Sequence, residues 1–300
     1  MDSNPTSTII TTIPQTNFTI GYSKCKILKQ IKHEYVTFAT VKLTNIIESK
    51  NKKKTKTSSL QDVVIKSYPN TKLGSKELLN EVAILEHINN NINDPNLKVP
   101  KSLYYKVNKK RPHDHFIERI EGHDLEYWVT NVFAFENYEP LATTIMTKVA
   151  KAIQVLHNNK IVHRDIKPEN ILLNFADNST NVIMIDFAFS KIIRDECLLT
   201  STSYCGTEQY VSPELLKQEP YNLLANDVWS FGATFFALLS GHYLPLCQNE
   251  NQEEYFKMCK LLVCELHVKD IIKKVFCKIF ISEDKRITIN EVVTMLSNQS

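Results

Sequence analysis

The sequence predicts an α+β chain, with its strands first and its helices dominating the rest. Three observations carry that prediction. Up to about residue 120, short apolar runs separated by turn signals read as strands, interrupted by one helical pattern. From residue 144 onward, apolar residues recur mainly at helical spacing. Between these halves and the later helices lies a polar stretch containing His163, Arg164, Asp165, Lys167, Glu169 and Asn170. Ile161 and Val162 precede it, and Ile171, Leu172 and Leu173 follow it. Polar residues bracketed in this way form a loop held between buried elements.

The bulk properties set limits. A chain of 300 residues and 34.6 kDa buries a large core, split into two lobes. Its 43% hydrophobic and 23% charged content is that of an ordinary soluble protein. A net charge of +3 is too small to argue for nucleic acid as a partner. No apolar run reaches the roughly 20 residues of a membrane span. Residues 1–20, which open rich in Ser, Thr and Pro, read as a flexible tail without a charged-then-apolar leader. Seven cysteines without metal-ligand spacing imply reduced thiols inside a cell, which makes the expected setting intracellular and cytoplasmic. Lys52, Lys53, Lys54 and Lys56 read as a solvated loop, with a nuclear address or a phosphate-lipid contact as the alternatives.

Taken in order, residues 25–31 read as a first strand with partial alternation. Residues 44–62, with their lysine run and Ser/Thr patch, read as an expanded loop. Val63, Val64 and Ile65 form a strand that ends in Lys66. Residues 77–88 have helical spacing, with Leu78, Val82, Leu85 and Ile88 on one face. Glu81 sits off the centre of that face, and Glu77 competes with it one turn earlier. A turn over 89–96 leads to a hairpin of residues 103–107 and 115–117, with Lys109, Lys110, Arg111 and Pro112 in its connection. Residues 117–122 link the halves, with the boundary near Ile120. Residues 144–157 form a helix with a stripe of Ile145, Val149, Ile153 and Leu156. A further helix begins around 226–232 and stops at Gly241, a plausible left-handed cap. Three more helices follow within 257–297, with Cys259, Cys264 and Cys277 near their apolar faces as buried free thiols.

The run His163-Arg164-Asp165, with Asn170 five residues after the aspartate and Asp186-Phe187 downstream, resembles the catalytic centre of eukaryotic protein kinases. The resemblance covers about residues 27–296. It implies a bilobal protein-kinase fold, with a small β-rich N-lobe over about 21–120 and a larger helical C-lobe over about 121–300. It also implies roles. Asp165 is the catalytic base, and Asn170 and Asp186 are the metal ligands. Lys66 takes the α and β phosphates and pairs with Glu81. Lys167 takes the γ-phosphate, as in serine/threonine kinases. Val41, Val64, Ile117, Glu118, Ile120, Asp124 and Leu172 surround the nucleotide, Glu118 and Ile120 through their backbones. Arg164 pairs with a phosphate on the activation segment, where Ser201, Thr202 and Ser203 are the candidates. Thr207 bridges Asp165 and Lys167, Asp227 caps the catalytic loop, and Glu214 pairs with Arg286.

The chain departs from the family in three places. The glycines of the phosphate-covering loop are replaced by Glu34, Val36 and Ala39, while Phe38 and Val41 keep their register. A register starting two residues earlier contains no glycine either. Ala188 stands for the glycine after Asp186-Phe187, and Val64 stands for the usual alanine. The function implied is ATP- and Mg²⁺-dependent transfer of phosphate to Ser/Thr hydroxyls of protein substrates, with a monomer assumed. The alternative is a pseudokinase, a binding or scaffold protein with weak or no catalysis.

Overall fold

The structure is a computed structural model. It describes residues 16–20, 22–32, 36–48, 54–131, 138–176, 179–195, 199–217, 219–247 and 251–298. Glu34, Lys52 and Lys53 lie outside the described residues, as does the side chain of Val41. The chain divides into two compact units. The first comprises residues 1–90 and 100–120, and the second comprises residues 91–99 and 121–300.

The first unit is an antiparallel sheet with one helix. Its strands are β1 (Thr16–Ile20), β2 (Tyr22–Lys32), β3 (Val36–Glu48), β4 (Lys54–Tyr68), β5 (Ser102–Lys106) and β6 (His113–Glu118), and its helix is α1 (Lys72–Asn91). The strand order is β1-β2-β3-β4-β6-β5. Two expectations are corrected here. Residues 16–20 are not tail: Thr16 pairs with Cys25 and Ile20 with Tyr22. Threonine, phenylalanine and isoleucine suit a pleated edge. Nor do residues 44–48 and 54–62 belong to an expanded loop. The β3–β4 ladder runs on through Thr44↔Ser58 and Ile46↔Lys56 to Glu48↔Lys54. The β-branched residues of that stretch, including Ile46, Ile47, Thr55 and Thr57, outweigh its polar composition.

Helix α1 is longer than its apolar stripe, and Leu78, Val82, Leu85 and Ile88 are buried as the spacing predicts. Along the end of β4 the side chains alternate. Val63 and Ile65 are buried, and Val64, Lys66 and Tyr68 share the other face.

The second unit holds β7 (His123–Asp124), α2 (Leu125–Asn131), α3 (Glu139–Asn158), β8 (Ile161–Val162), β9 (Ile171–Ala176), β10 (Ser179–Met184), β11 (Lys191–Ile192) and β12 (Thr200–Ser201). Then come α4 (Pro213–Leu216), β13 (Tyr221–Asn222), α5 (Leu223–Ser240), α6 (Gln252–Glu265), α7 (Asp270–Ile279) and α8 (Ile289–Ser297). Residues 91–99 group here rather than with the N-terminal lobe. The carbonyl of Lys98 accepts the Met184 N–H at 3.0 Å, and Lys98 Nζ donates to Asn181.

The core of this unit is α3 and α5. Ile145, Val149, Ile153 and Leu156 of α3 are wholly buried. Asn222 caps the start of α5, accepting the N–H groups of Leu224 and Ala225. Gly241 closes the helix at φ 70° in the left-handed region. Helix α5 is long and apolar enough to cross a membrane, yet 83% of that window is buried inside the protein, so it is a core helix. Cys259 is buried, but Cys264 is exposed and Cys277 only half-buried, which corrects the expectation of three buried thiols. Cys259 and Val263 share the inward face of α6, and Cys264 lies one residue further round.

Candidate active site

The first unit positions a lysine against a buried carboxylate. Lys66 Nζ lies 3.1 Å from Glu81 Oε1, and Glu81 is 1% exposed. Glu81 rather than Glu77 is therefore the partner. The ordinary fate of a helix glutamate is solvation, and this one escapes it because the sheet supplies donors. Lys66 and Tyr68 are two residues apart on β4, so both face α1. His115 stands opposite Lys66 in the β4–β6 register and shares that face. The Tyr68 hydroxyl donates to Glu81 Oε2, and His115 Nδ1 lies 2.9 Å from the same oxygen. The Lys66 ammonium also sits 5.0 Å from the Tyr68 ring centroid. Burial alone would raise the Glu81 pKa; Lys66, His115 and Tyr68 together reverse this and hold it well below the usual carboxylate range. Neither Tyr68 nor His115 was legible as a partner. Seeing them needs the strand register.

Other residues expected around a nucleotide line up along the same strands. Val64 pairs with Ile117, which is buried, and with Phe38. Val41 pairs with Gln61 and Ile27. The Glu118 N–H donates to the Lys101 carbonyl at 2.9 Å, and its carboxylate accepts the Lys101 N–H at 3.1 Å. Ile120 ends the first unit.

The second unit builds the catalytic-loop constellation. Strand β8 delivers the chain into residues 163–167, a short 3₁₀ turn follows over Pro168–Asn170, and β9 carries it away. Asp165 is 6% exposed, and its carboxylate is held from three sides. Asn170 Nδ2 donates to Oδ2 at 2.9 Å, and Lys167 Nζ lies 3.3 Å from the same oxygen. The Thr207 hydroxyl donates to Oδ1 at 2.9 Å while accepting from Lys167 Nζ at 2.7 Å. The expected Thr207 bridge is present.

The β9–β10 ladder, ending at Ile171↔Met184, brings Asn170 beside residue 185. The Ile185 N–H donates to the Asn170 carbonyl at 3.0 Å. Asp186 follows directly, at φ 61°. Asn170 spends its amide nitrogen on Asp165, donating to both the carbonyl and Oδ2, so Oδ1 remains as its acceptor. An amide oxygen on Asn170 and a carboxylate on Asp186, one residue past the Asn170–Ile185 hydrogen bond, are hard oxygen donors of the kind that suits Mg²⁺. Ala188 is not among the described residues at positive φ, so its backbone needs no left-handed conformation that would call for glycine.

The loop is pinned from below by Asp227, which is fully buried on α5. Its carboxylate accepts the N–H groups of His163 and Arg164, each at 2.8 Å, and lies 3.0 Å from His157 Nε2. Burial would raise its pKa; the hydrogen bond and charge of His157, with those of His163, lower it instead. Arg164 sits at φ 70°, a left-handed conformation that costs a non-glycine residue about 1–3 kcal/mol. His163 and Phe187 pack ring to ring at 4.8 Å.

The segment after β11 folds onto this loop. Gly206 has φ 99°, and a Cβ there would stand 2.8 Å from the Arg164 carbonyl oxygen, so only glycine fits. Arg164 donates through Nη2 to the Ser203 hydroxyl and through Nη1 to the Phe189 carbonyl at 3.3 Å. Its Nε is buried with no hydrogen-bond partner. Tyr221 holds the Ser203 carbonyl at 2.9 Å. Of the three candidate phosphosites, Ser203 is the one on Arg164. Glu214 takes Arg286 Nη2 at 2.9 and 3.1 Å. The guanidinium also donates to the carbonyls of Ala225, Ile279 and Ile281 and lies over Trp229.

Asp124 and Leu172, both expected at the nucleotide, are cross-strand partners between β7 and β9. Asp124 also caps α2, accepting the Tyr127 N–H at 2.8 Å. Glu126 joins it: burial raises the Glu126 pKa first, and the charges of Glu169 and Asp124 add to the rise.

A chain with a β-rich unit carrying a lysine–glutamate pair and a helical unit carrying this aspartate loop has the α+β architecture of a phosphotransferase of the protein-kinase type. The protein kinase domain family model matches residues 45–295, and the chain belongs to the eukaryotic protein kinase family. Among its relatives is the probable serine/threonine-protein kinase MARK-A of Dictyostelium discoideum. That protein is 33% identical over 179 residues, covering 58% of this chain and 16% of the relative. The calcium/calmodulin-dependent protein kinase type 1 of Macrobrachium nipponense is 29% identical over 246 residues, covering 77% of this chain and 65% of the relative. The type 1B enzyme of Rattus norvegicus is 33% identical over 203 residues, or 65% and 53%. The chain thus spans less than two thirds of each of these relatives.

Proposed function

We propose that the protein is a serine/threonine protein kinase that moves the γ-phosphoryl group of ATP to a hydroxyl of a protein substrate. The observation that carries this is the held carboxylate of Asp165. Asn170, Lys167 and Thr207 fix it in one orientation, which is what a group receiving a hydroxyl proton needs. Lys167, two residues after the aspartate, supports the serine/threonine class. In this reading Lys66, positioned by Glu81, steadies the α and β phosphates, and Lys167 meets the γ-phosphate. Asn170 Oδ1 and the Asp186 carboxylate hold Mg²⁺. The metal supplies charge neutralisation on the phosphates when bound. Asp124, Glu126 and Glu169, crowded acids on the second unit, support acceptor peptides with basic residues near the hydroxyl.

The test is phosphate incorporation into a generic basic protein with Mg²⁺-ATP, wild type against Asp165→Asn. Incorporation that Asp165→Asn abolishes is expected; incorporation that the variant retains would overturn the reading. The replacement of the loop glycines by Glu34, Val36 and Ala39 favours a second reading, a pseudokinase that binds nucleotide without turnover. Nucleotide affinity with no incorporation in the wild type would establish that alternative.

A further inference from the structure

One edge of the first unit carries a surface that phosphate transfer does not use. The β5–β6 turn is clamped to the start of α1 through a buried histidine. His113 Nδ1 accepts the Asn108 N–H at 3.0 Å, and its Nε2 lies 2.7 Å from the Ser75 hydroxyl. His113 and Asn108 are both buried, so the turn is a fixed part of the unit. The clamp gathers cations. Lys72 and Lys76 flank Ser75 on α1, and Lys109, Lys110 and Arg111 stand in the turn, all five exposed. Lys106 at the end of β5 joins them. Burial and then the nearby charge of Arg111 push its pKa down, with Asp114 opposing. Asp114 is already engaged by Asn108 and Ser67. Among the described residues, Lys72, Lys76, Lys109, Lys110 and Arg111 take part in no ion pair.

Aliphatic side chains stand out among these charges. Leu73 is 64% exposed, Val107 49% and Leu79 44%. On α1, Lys72, Lys76 and Leu79 lie on one solvent face, at spacings of four and three residues. Solvated lysines need no such company. Cations interleaved with projecting leucine and valine match a surface with phosphates outside and hydrocarbon beneath.

We propose that this edge docks on an anionic phospholipid surface. The cations meet the headgroup phosphates, and Leu73 and Val107 enter the interfacial layer. Charge complementarity selects the occupant, and the exposed aliphatic residues favour lipid over an acidic polypeptide.

The test is co-sedimentation of the full chain with phosphatidylcholine vesicles, with and without phosphatidylserine. Binding is expected only with the anionic lipid, and it should weaken as salt rises. The triple variant Lys109→Glu, Lys110→Glu, Arg111→Glu should lose affinity by at least about tenfold, since each cation near such a surface contributes strongly. Leu73→Ser with Val107→Ser should weaken binding severalfold while leaving every charge in place. Equal binding to neutral vesicles, or none to anionic ones, would overturn the proposal. So would full affinity in the serine variant together with complete competition by polyglutamate, which would assign the surface to an acidic polypeptide. All five positions are exposed, and circular dichroism of each variant checks that the fold is kept.

Discussion

Asp227 accepts the backbone N–H of Arg164 at 2.8 Å, so a buried carboxylate on a core helix holds a left-handed residue of the catalytic loop. The loop's shape therefore depends on the ionisation of a group that never meets solvent. Its pKa is lowered from the ordinary 3.8, as that of Glu81 is from 4.5. A depressed carboxylate contributes stability that is full above its unfolded value and lost as pH falls through the folded one. Urea midpoints should accordingly hold above about pH 5 and decline below about 4.5. Asp227→Asn should be less stable at pH 7 and show a shallower acid decline, and an unchanged acid slope would refute the assignment.

Glu81 offers a second test. Tyr68→Phe removes one donor from a buried carboxylate and leaves Lys66 in place. The expected cost is about 1–3 kcal/mol in unfolding free energy. Because Tyr68 also steadies the partner of Lys66, KM for ATP should rise as well. Equilibrium denaturation and steady-state kinetics read the two effects separately.

The Ser203 hydroxyl rests on Arg164, whose buried Nε has no hydrogen-bond partner. A phosphate at Ser203 would give that guanidinium charge-assisted bonds and order the segment. Incubation with an upstream kinase should raise activity, with intact mass showing the added group. Ser203→Ala should lower activity and remove the rise, whereas Thr202→Ala should keep it. A fully active Ser203→Ala protein would mean that the segment is ordered without modification.

Arg286 spends its guanidinium on Glu214 and three carbonyls while covering Trp229. Arg286→Met should cost about 3–5 kcal/mol, because it strands a mostly buried carboxylate. Adding Glu214→Gln should recover part of that loss. Thermal midpoints of the single and double variants decide the matter, and strict additivity would disprove the coupling.

Substrate charge is testable through Glu169. Glu169→Lys should reduce kcat/KM for an acceptor peptide with an arginine before the serine far more than for one with alanine there. Equal losses on both peptides would separate Glu169 from recognition.

The sequence made much of the site legible because its residues sit close together in the chain. Asp165, Lys167 and Asn170 lie within one loop, and Asp186 follows one hairpin later. Residues whose roles depend on register stayed hidden. Tyr68 and His115 reach Glu81 only because β4 pairs with β6 so that His115 stands opposite Lys66. His157 on Asp227 needed the packing of two core helices. The errors have local causes. Residues 44–62 looked like a loop because lysine and serine dominate the eye, although their β-branched neighbours continue the ladder. Cys264 looked buried because it adjoins an apolar stripe, yet one residue along a helix is a large turn away from it.

Helix α5 meets the length and apolarity of a bilayer-spanning segment while serving as the hidden centre of the second unit. Any event that opens this unit uncovers an 18-residue helix whose apolar side chains, Leu223, Val228, Trp229, Phe231, Phe235 and Phe236 among them, water rejects. Such a chain partitions between refolding and self-association, and concentration decides which wins. Heating should end in precipitate with a midpoint that moves with scan rate, so that the protein's working lifetime is governed by the speed of opening.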